Sequence, residues 1–161
     1  YTTLFRSVPY FITSKKLGLL NTKFSLVGPH VAAAIPMSMM LIRNAMDEIS
    51  DEMIEASIID GCPRRKVFTK MMLPLTKPAI ATALIFAFMS SWNDYLLPLV
   101  MINRADEMTL TLLPQKFTAF AGVSNVGTIF ASLVLLCVPI FIIYLFAQKY
   151  MVAGMAAGTI K

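Results

Sequence analysis

Residues 24–42 read FSLVGPHVAAAIPMSMMLI, nineteen positions without an Asp, Glu, Lys or Arg. At about 1.5 Å per residue such a run makes a helix of roughly 28 Å, close to the ~30 Å hydrocarbon core of a bilayer. Two further runs are comparable: residues 79–102, interrupted only by Asp94, and residues 117–147. The whole 161-residue chain is 57% hydrophobic and 14% charged, with a mean hydropathy of +0.70. An ordinary soluble domain carries more charge and less apolar surface, so lipid is the expected solvent. In lipid every backbone polar group must be satisfied within its own element, which makes each run a helix. The expected fold class is all-α, a polytopic membrane helical bundle with spans at about 24–43, 79–102 and 126–147. Pro36 and Pro139 are expected to bend their helices.

The charges sort around these runs. Residues 43–77 hold six basic and six acidic side chains, so the stretch must be aqueous. Orientation follows Lys and Arg alone. Arg43, Arg64, Arg65, Lys66, Lys70, Lys77, Lys149 and Lys161 lie on one side, against Lys15, Lys16, Lys23, Arg104 and Lys116 on the other. The excess predicts a cytoplasmic loop at 44–78, a cytoplasmic C-terminus and an external loop at 103–125. The net charge of +5 does not indicate nucleic acid, because the basic residues sit in short clusters beside apolar runs and not on one soluble face.

Residues 1–7 carry no apolar core of a secretory signal peptide. They translate the string TAC ACG ACG CTC TTC CGA TCT, which resembles the end of a common sequencing adapter. They are therefore read as a cloning or assembly scar, a hypothesis that resequencing the locus would test, and fold reasoning is confined to residues 8–161. Residues 8–13 read as the tail of a helix, and residues 14–22 break the pattern.

Several residue types invite chemistry and are read as structural. Cys62 and Cys137 fall in a polar loop and an apolar run, so no disulfide is expected, and neither has the neighbours of a zinc site. His30 reads as a packing or capping residue, and the twelve methionines as adaptable core filling. Gly154 and Gly158 form a small-xxx-small pair beyond the last span and lack the ending of a phosphate loop. Asp94 is different: a carboxylate at a helix centre costs roughly 2.5–3.5 kcal/mol on insertion scales, so it should face protein or water. Asn93 and Asp94 are expected to bond a neighbouring helix or loop, and Pro98 to make that helix irregular. They are also the candidate translocation-path or gate residues.

The polar stretch has its own pattern. Ile54, Ile58 and Ile59 recur at helical spacing behind Asp51, Glu52 and Glu55, whose charges suit a helix N-terminus. Asp60-Gly61 should end that helix, since glycine adopts the left-handed conformation at little cost. Pro63 then fits the first turn of a second helix, which carries Val67, Phe68, Met71, Met72 and Leu75 on one stripe. Pro74 and Pro78 should stop it and re-aim the chain, leaving a helix-turn-helix bracket with an apolar face free to dock.

Glu55-Ala56-Ser57-Ile58-Ile59-Asp60-Gly61-Cys62, followed by Phe68, Leu73-Pro74 and Lys77-Pro78, resembles the EAA loop of ABC importer permeases. Ser57 and Cys62 replace alanines of the family pattern, and Ser50 stands where relatives often have proline. Leu17 to Thr22, Trp92-Asn93-Asp94, the proline in the last helix, and Gln148-Lys149-Tyr150 with Gly154 and Gly158 are similar to the maltose-type, carbohydrate-importer branch. The resemblance covers essentially residues 8–161. Such subunits usually have six spans, which implies that the first two and most of the third precede this sequence.

The resemblance implies a permease subunit of a binding-protein-dependent importer in the bacterial inner membrane, moving a sugar or sugar derivative. Its EAA loop would be a coupling helix seated in an ATPase cleft, with Glu55, Ala56, Ser57, Ile59, Asp60, Gly61, Phe68 and Pro74 at the interface. Implied partners are an ABC ATPase dimer, a second homologous permease, an external solute-binding protein and membrane lipid. ATP and Mg would be held by the ATPase, with no cofactor on this chain, and the chain would not be an enzyme. Two other classes compete: a membrane scaffold or regulator that recruits a soluble partner through the loop, and an integral membrane enzyme using Asp94 and His30 as acid and base. The latter pair belongs to different helices, and nothing marks a nucleophile or metal.

Overall fold

The computed structural model describes residues 2–119 and 126–157. Tyr1, the stretch 120–125 of the expected external loop, and 158–161 with Gly158 and Lys161 lie outside the described residues. Every described element is helical, in the order α1 (Thr2–Lys16), α2 (Phe24–Asp47), α3 (Asp51–Ile59), α4 (Arg64–Val67), a π-helical turn (Phe68–Met72), α5 (Leu73–Leu75), α6 (Lys77–Trp92), α7 (Leu96–Met101), a 3-10 turn (Leu110–Leu112), α8 (Leu113–Ala119) and α9 (Val126–Ala157). α1 contains the expected helix tail and begins earlier, at Thr2.

Among the described residues two helices are long and apolar enough to cross a membrane, Phe24–Asp47 and Val126–Gln148. The bent pair Arg64–Leu75 and Lys77–Trp92, at 63° to each other, makes a third if it is one span. Only 11% and 6% of the apolar stretches of the first two are buried, so their side chains are left for lipid or other protein. Phe130, Leu135, Phe141 and Phe146 of α9 are each more than 60% exposed.

The expected single span over 79–102 is divided. α6 ends at Trp92, Asn93–Tyr95 is not helical, and α7 starts at Leu96. The irregularity lies before Pro98, which sits in the first turn of α7, where a missing N–H leaves no bond unmade. What breaks the helix is the competition of Asp94 for the backbone: its Oδ1 accepts from the Leu97 amide at 3.2 Å and so serves the new helix N-terminus. The region expected as an external loop likewise contains helical turns, at Leu110–Leu112 and Leu113–Ala119.

Two compact units divide the chain: one comprises Tyr1–Ala33 and Phe88–Ile143, the other Ala34–Ala87 and Tyr144–Lys161. The first is built around α7, which is apolar on all sides and packs against α1. Leu26, Leu97, Met101 and Ile102 form its core, with Tyr10, Phe11, Leu20 and Met108 packed around them. α1 closes on Gly18, whose φ of +69° allows Gly18 N to bond Lys15 O and Leu19 N to bond Ser14 O.

The C-terminal end of α7 is held by Asn21. This residue takes a left-handed φ of +60°. Its N–H donates to Met101 O at 3.2 Å, and its Oδ1 accepts from the Asn103 amide at 2.7 Å. Asparagine visits this conformation more readily than other residues with a Cβ. Replacing Asn21 by glycine removes the side-chain bond alone, whereas alanine adds a left-handed penalty of about 1 kcal/mol. Asn21→Ala is therefore expected to be the less stable variant, as read by the thermal midpoints of the purified full-length protein. Equal midpoints would show that the turn relaxes.

In the second unit α3 ends as its sequence predicts. Gly61, at φ +83°, lets Gly61 N bond Ile58 O at 3.0 Å and Cys62 N bond Ser57 O at 3.1 Å, the paired bonds of a Schellman motif. Pro63 occupies the N-cap one position before the helix, not its first turn, and Arg64 begins α4. The second helix is not uniform: it widens to π geometry over Phe68–Met72, with Leu73 N bonded to Phe68 O. Pro74 supplies the reason, since it lacks an N–H and its ring would collide with the carbonyl four residues back in an α-helix. Helix α5 then stops at Thr76, which is fully buried and bonds Leu73 O through its hydroxyl. Ala79, Thr82 and Ala83 of α6 are buried behind it.

Candidate functional site

The bracket formed by α3, the Gly61 turn and the helix through α5 carries most of the residues singled out by sequence. No residue of α3 is buried. Glu55, Ala56, Asp60 and Gly61 are exposed, and Ile59 is 84% exposed, an unusual position for an isoleucine unless something else covers it. Ser57 is half-buried. Its hydroxyl donates to Met53 O at 2.9 Å and lies 3.2 Å from Met71 Sδ, so a small side chain there lets α3 approach the π turn. Phe68 and Pro74 are exposed, while Val67 is buried and Met71 and Met72 are half-buried. The expected apolar stripe is thus split: part holds the bracket together, and Phe68 and Leu75 remain open.

Among the described residues the basic and acidic groups named for the bracket find no ion-pair partner. Four ion pairs occur among the described residues, and none includes Glu55, Asp60, Arg64, Arg65, Lys66 or Lys70. Acidic Asp51 and Glu52 stand in the first turn of α3, where they complement the helix dipole. The result is an exposed corner with an apolar tip at Ile59 and, among the described residues, unpaired charges around it. Such a surface can dock by shape, with charge adding only about 1 kcal/mol per rim pair.

The first unit brings together two residues that the sequence paired only in the competing enzyme reading, where their place on different helices counted against them. His30 Nε2 lies 3.8 Å from Asp94 Oδ2, the side chains being 20% and 27% exposed. His30 is therefore more than a packing residue: it faces the carboxylate. The separation of 64 positions leaves no local signal for the pairing. Its one trace in the sequence is that these are the ionisable side chains other than tyrosine inside residues 24–42 and 79–102. Asp94 bonds locally and across a loop, since Oδ1 takes the Leu97 amide and its carbonyl accepts the Thr111 hydroxyl at 3.3 Å. Asn93 is exposed and lines a cavity with Asp94. Trp92 of the same tripeptide donates Nε1 to Leu136 O at 3.3 Å and stacks on Phe88 with centroids 5.5 Å apart. Cys62 and Cys137 are both free and exposed.

Comparison with known proteins shows the family. The family described as the binding-protein-dependent transport system inner membrane component matches residues 1–157. A chain of Caldicellulosiruptor sp. (strain Rt8B.4) carrying an ABC transporter permease name is 36% identical over 154 residues, 96% of this chain and 56% of that relative. The arabinooligosaccharides transport system permease protein AraQ of Halalkalibacterium halodurans is 34% identical, over 96% of this chain and 54% of its own length. The diacetylchitobiose uptake system permease protein NgcG of Streptomyces coelicolor is 31% identical, over 96% and 51%. The chain spans about half the length of the curated relatives it matches. An all-helical chain with membrane-length apolar helices, matched almost end to end by one family of membrane components, belongs to the binding-protein-dependent transport system inner membrane component family.

Proposed function

We propose that the full-length protein is a permease subunit of an ATP-driven importer for a sugar or sugar derivative, and that the bracket at Glu55 to Pro74 is where a separate ATPase acts on it. The observation that carries this reading is the exposed α3, which makes no ion pair among the described residues and is joined through the Gly61 turn and the buried Thr76 to helix α6. A push on α3 has a short helical route into the apolar helix, because the connecting residues are bonded and not loose. The sugar follows from relatives named for arabinooligosaccharides, diacetylchitobiose and maltodextrin.

Under this reading the loop 44–78 and the C-terminus are cytoplasmic, and Glu55 and Asp60 pair with basic groups of the ATPase. ATP and Mg are held by that ATPase dimer, and this chain performs no catalysis of its own. A second homologous permease completes the path, and an extracytoplasmic solute-binding protein delivers the solute. Asn93 and Asp94 line the path.

Cys62, exposed beside Gly61, tests orientation and seat together. In the full-length protein with Cys137→Ser, a membrane-impermeant thiol reagent is expected to label Cys62 in inside-out vesicles and not in intact cells. Adding the ATPase is expected to slow that labelling. Labelling from outside the cell would overturn the orientation, and labelling unchanged by the ATPase would overturn the seat.

A further inference from the structure

Two cavities lie within the unit made of Tyr1–Ala33 and Phe88–Ile143. The larger holds about 580 Å³, with Val27, Val31, Phe88, Trp92, Thr109 and Thr111 among its walls. The smaller holds about 330 Å³ and is bounded in part by Tyr10, Ala33, Ser90, Asn93 and Leu97. Among the described residues His30 and Asp94 alone line both. The pair is the shared wall.

The contact is built to part. At 3.8 Å the Nε2–Oδ2 separation exceeds hydrogen-bond length, and a partly exposed polar contact of this kind is worth little. The rest of Asp94 is anchored, by Leu97 N on Oδ1 and by the Thr111 hydroxyl on the carbonyl. A rotation of the imidazole therefore opens the wall while the α6–α7 break stays in place. The neighbouring Trp92 is pinned by its bond to Leu136 O and its stack on Phe88, so the side of the larger cavity is firm.

The linings also select the occupant. Among the described residues no Lys or Arg lines either cavity, and the ionisable groups are His30, Asp94 and Tyr10. An anion would meet the carboxylate with no lysine or arginine of the described lining to offset it. A neutral solute bearing hydroxyls meets the Thr109, Thr111, Ser90 and Asn93 side chains and an aromatic pair, at a size ordinary for small-molecule sites.

We propose that the His30–Asp94 contact is a gate between these two cavities, passed by a neutral, hydroxyl-bearing solute, with His30 as its moving half. The inference rests on the reading of Asn93 and Asp94 as part of the path, and the experiment separates the two. The full-length permease complex in proteoliposomes, with Cys62→Ser and Cys137→Ser, is used throughout. His30→Ala is expected to raise ATP-independent entry of radiolabelled erythritol by about fivefold, the factor a lost contact of about 1 kcal/mol gives. His30→Gln, which keeps a polar side chain long enough to reach towards Asp94, is expected to restore the low leak. His30→Phe, which fills the wall, is expected to leave the complex assembled and to lower ATP-driven uptake by a similar factor. Thr111→Cys and Ala33→Cys, one in each cavity, are expected to lose uptake when a bulky thiol reagent modifies them. Block at both cysteines with wild-type leak in His30→Ala and wild-type uptake in His30→Phe would overturn the gate and keep the path. No block at either would overturn both.

Discussion

Replacing Gly61 by valine is expected to lower solute-stimulated ATP hydrolysis of the reconstituted full-length complex by about tenfold, with the subunits still present in the membrane. Gly61 holds φ at +83°, and nothing lies within 4 Å of where a Cβ would stand. The glycine is thus required by backbone conformation and not by space. A residue with a Cβ pays about 1–2 kcal/mol in the left-handed region, and a β-branched one is least suited to it. Each 1.4 kcal/mol is a factor of ten in population. Valine would drive the turn out of that region and release the bonds from Gly61 N to Ile58 O and from Cys62 N to Ser57 O. The angle between α3 and α4 would then no longer be set, so a seat on the ATPase would fail to move α6. Gly61→Asn, which tolerates the same conformation, is expected to keep most of the stimulation. Wild-type stimulation in Gly61→Val would remove the coupling reading. A wild-type complex with no solute-stimulated hydrolysis would favour the scaffold reading in its place.

Met101→Ala is expected to destabilise the protein by about 2–5 kcal/mol, the range for emptying a large buried side chain. Met101 has no exposed surface and stands between Leu26, Leu97 and Ile102 in the cluster that fixes α7. Met101→Leu conserves volume and is expected to cost less than about 1.5 kcal/mol. Leu135→Ala is the control, since Leu135 is 70% exposed on α9 and loses little protein packing. Thermal midpoints of the purified full-length protein in detergent rank the three. A midpoint for Met101→Ala no lower than that for Leu135→Ala would show that the α7 cluster is not a folding core.

Much of the candidate coupling corner was legible because its signals are local. A glycine after Asp60, a proline at 63 and a proline at 74 each act on backbone within five residues, and the α3 end falls where they place it. The shift of Pro63 to the N-cap is a difference of one position. The π turn at Phe68–Met72 is also a local response to Pro74, although a plain helical stripe does not reveal it. The pairings of the first unit were not legible. Asn21 meets Asn103 across 82 positions and His30 meets Asp94 across 64, and nothing in either neighbourhood names its partner.

By itself the sequence determined that this is a helical membrane chain, that residues 24–42 and 126–147 are membrane-length helices, and where the polar bracket turns. Those outcomes follow from backbone bonding in lipid and from the conformational limits of Gly and Pro, which act within one or two helical turns. Only the tertiary structure decided that the run 79–102 breaks at Asn93, that Asn21 clasps α7, and that His30 faces Asp94. The physical reason is that a polar side chain in an apolar run must find a partner, while packing between distant segments chooses which one.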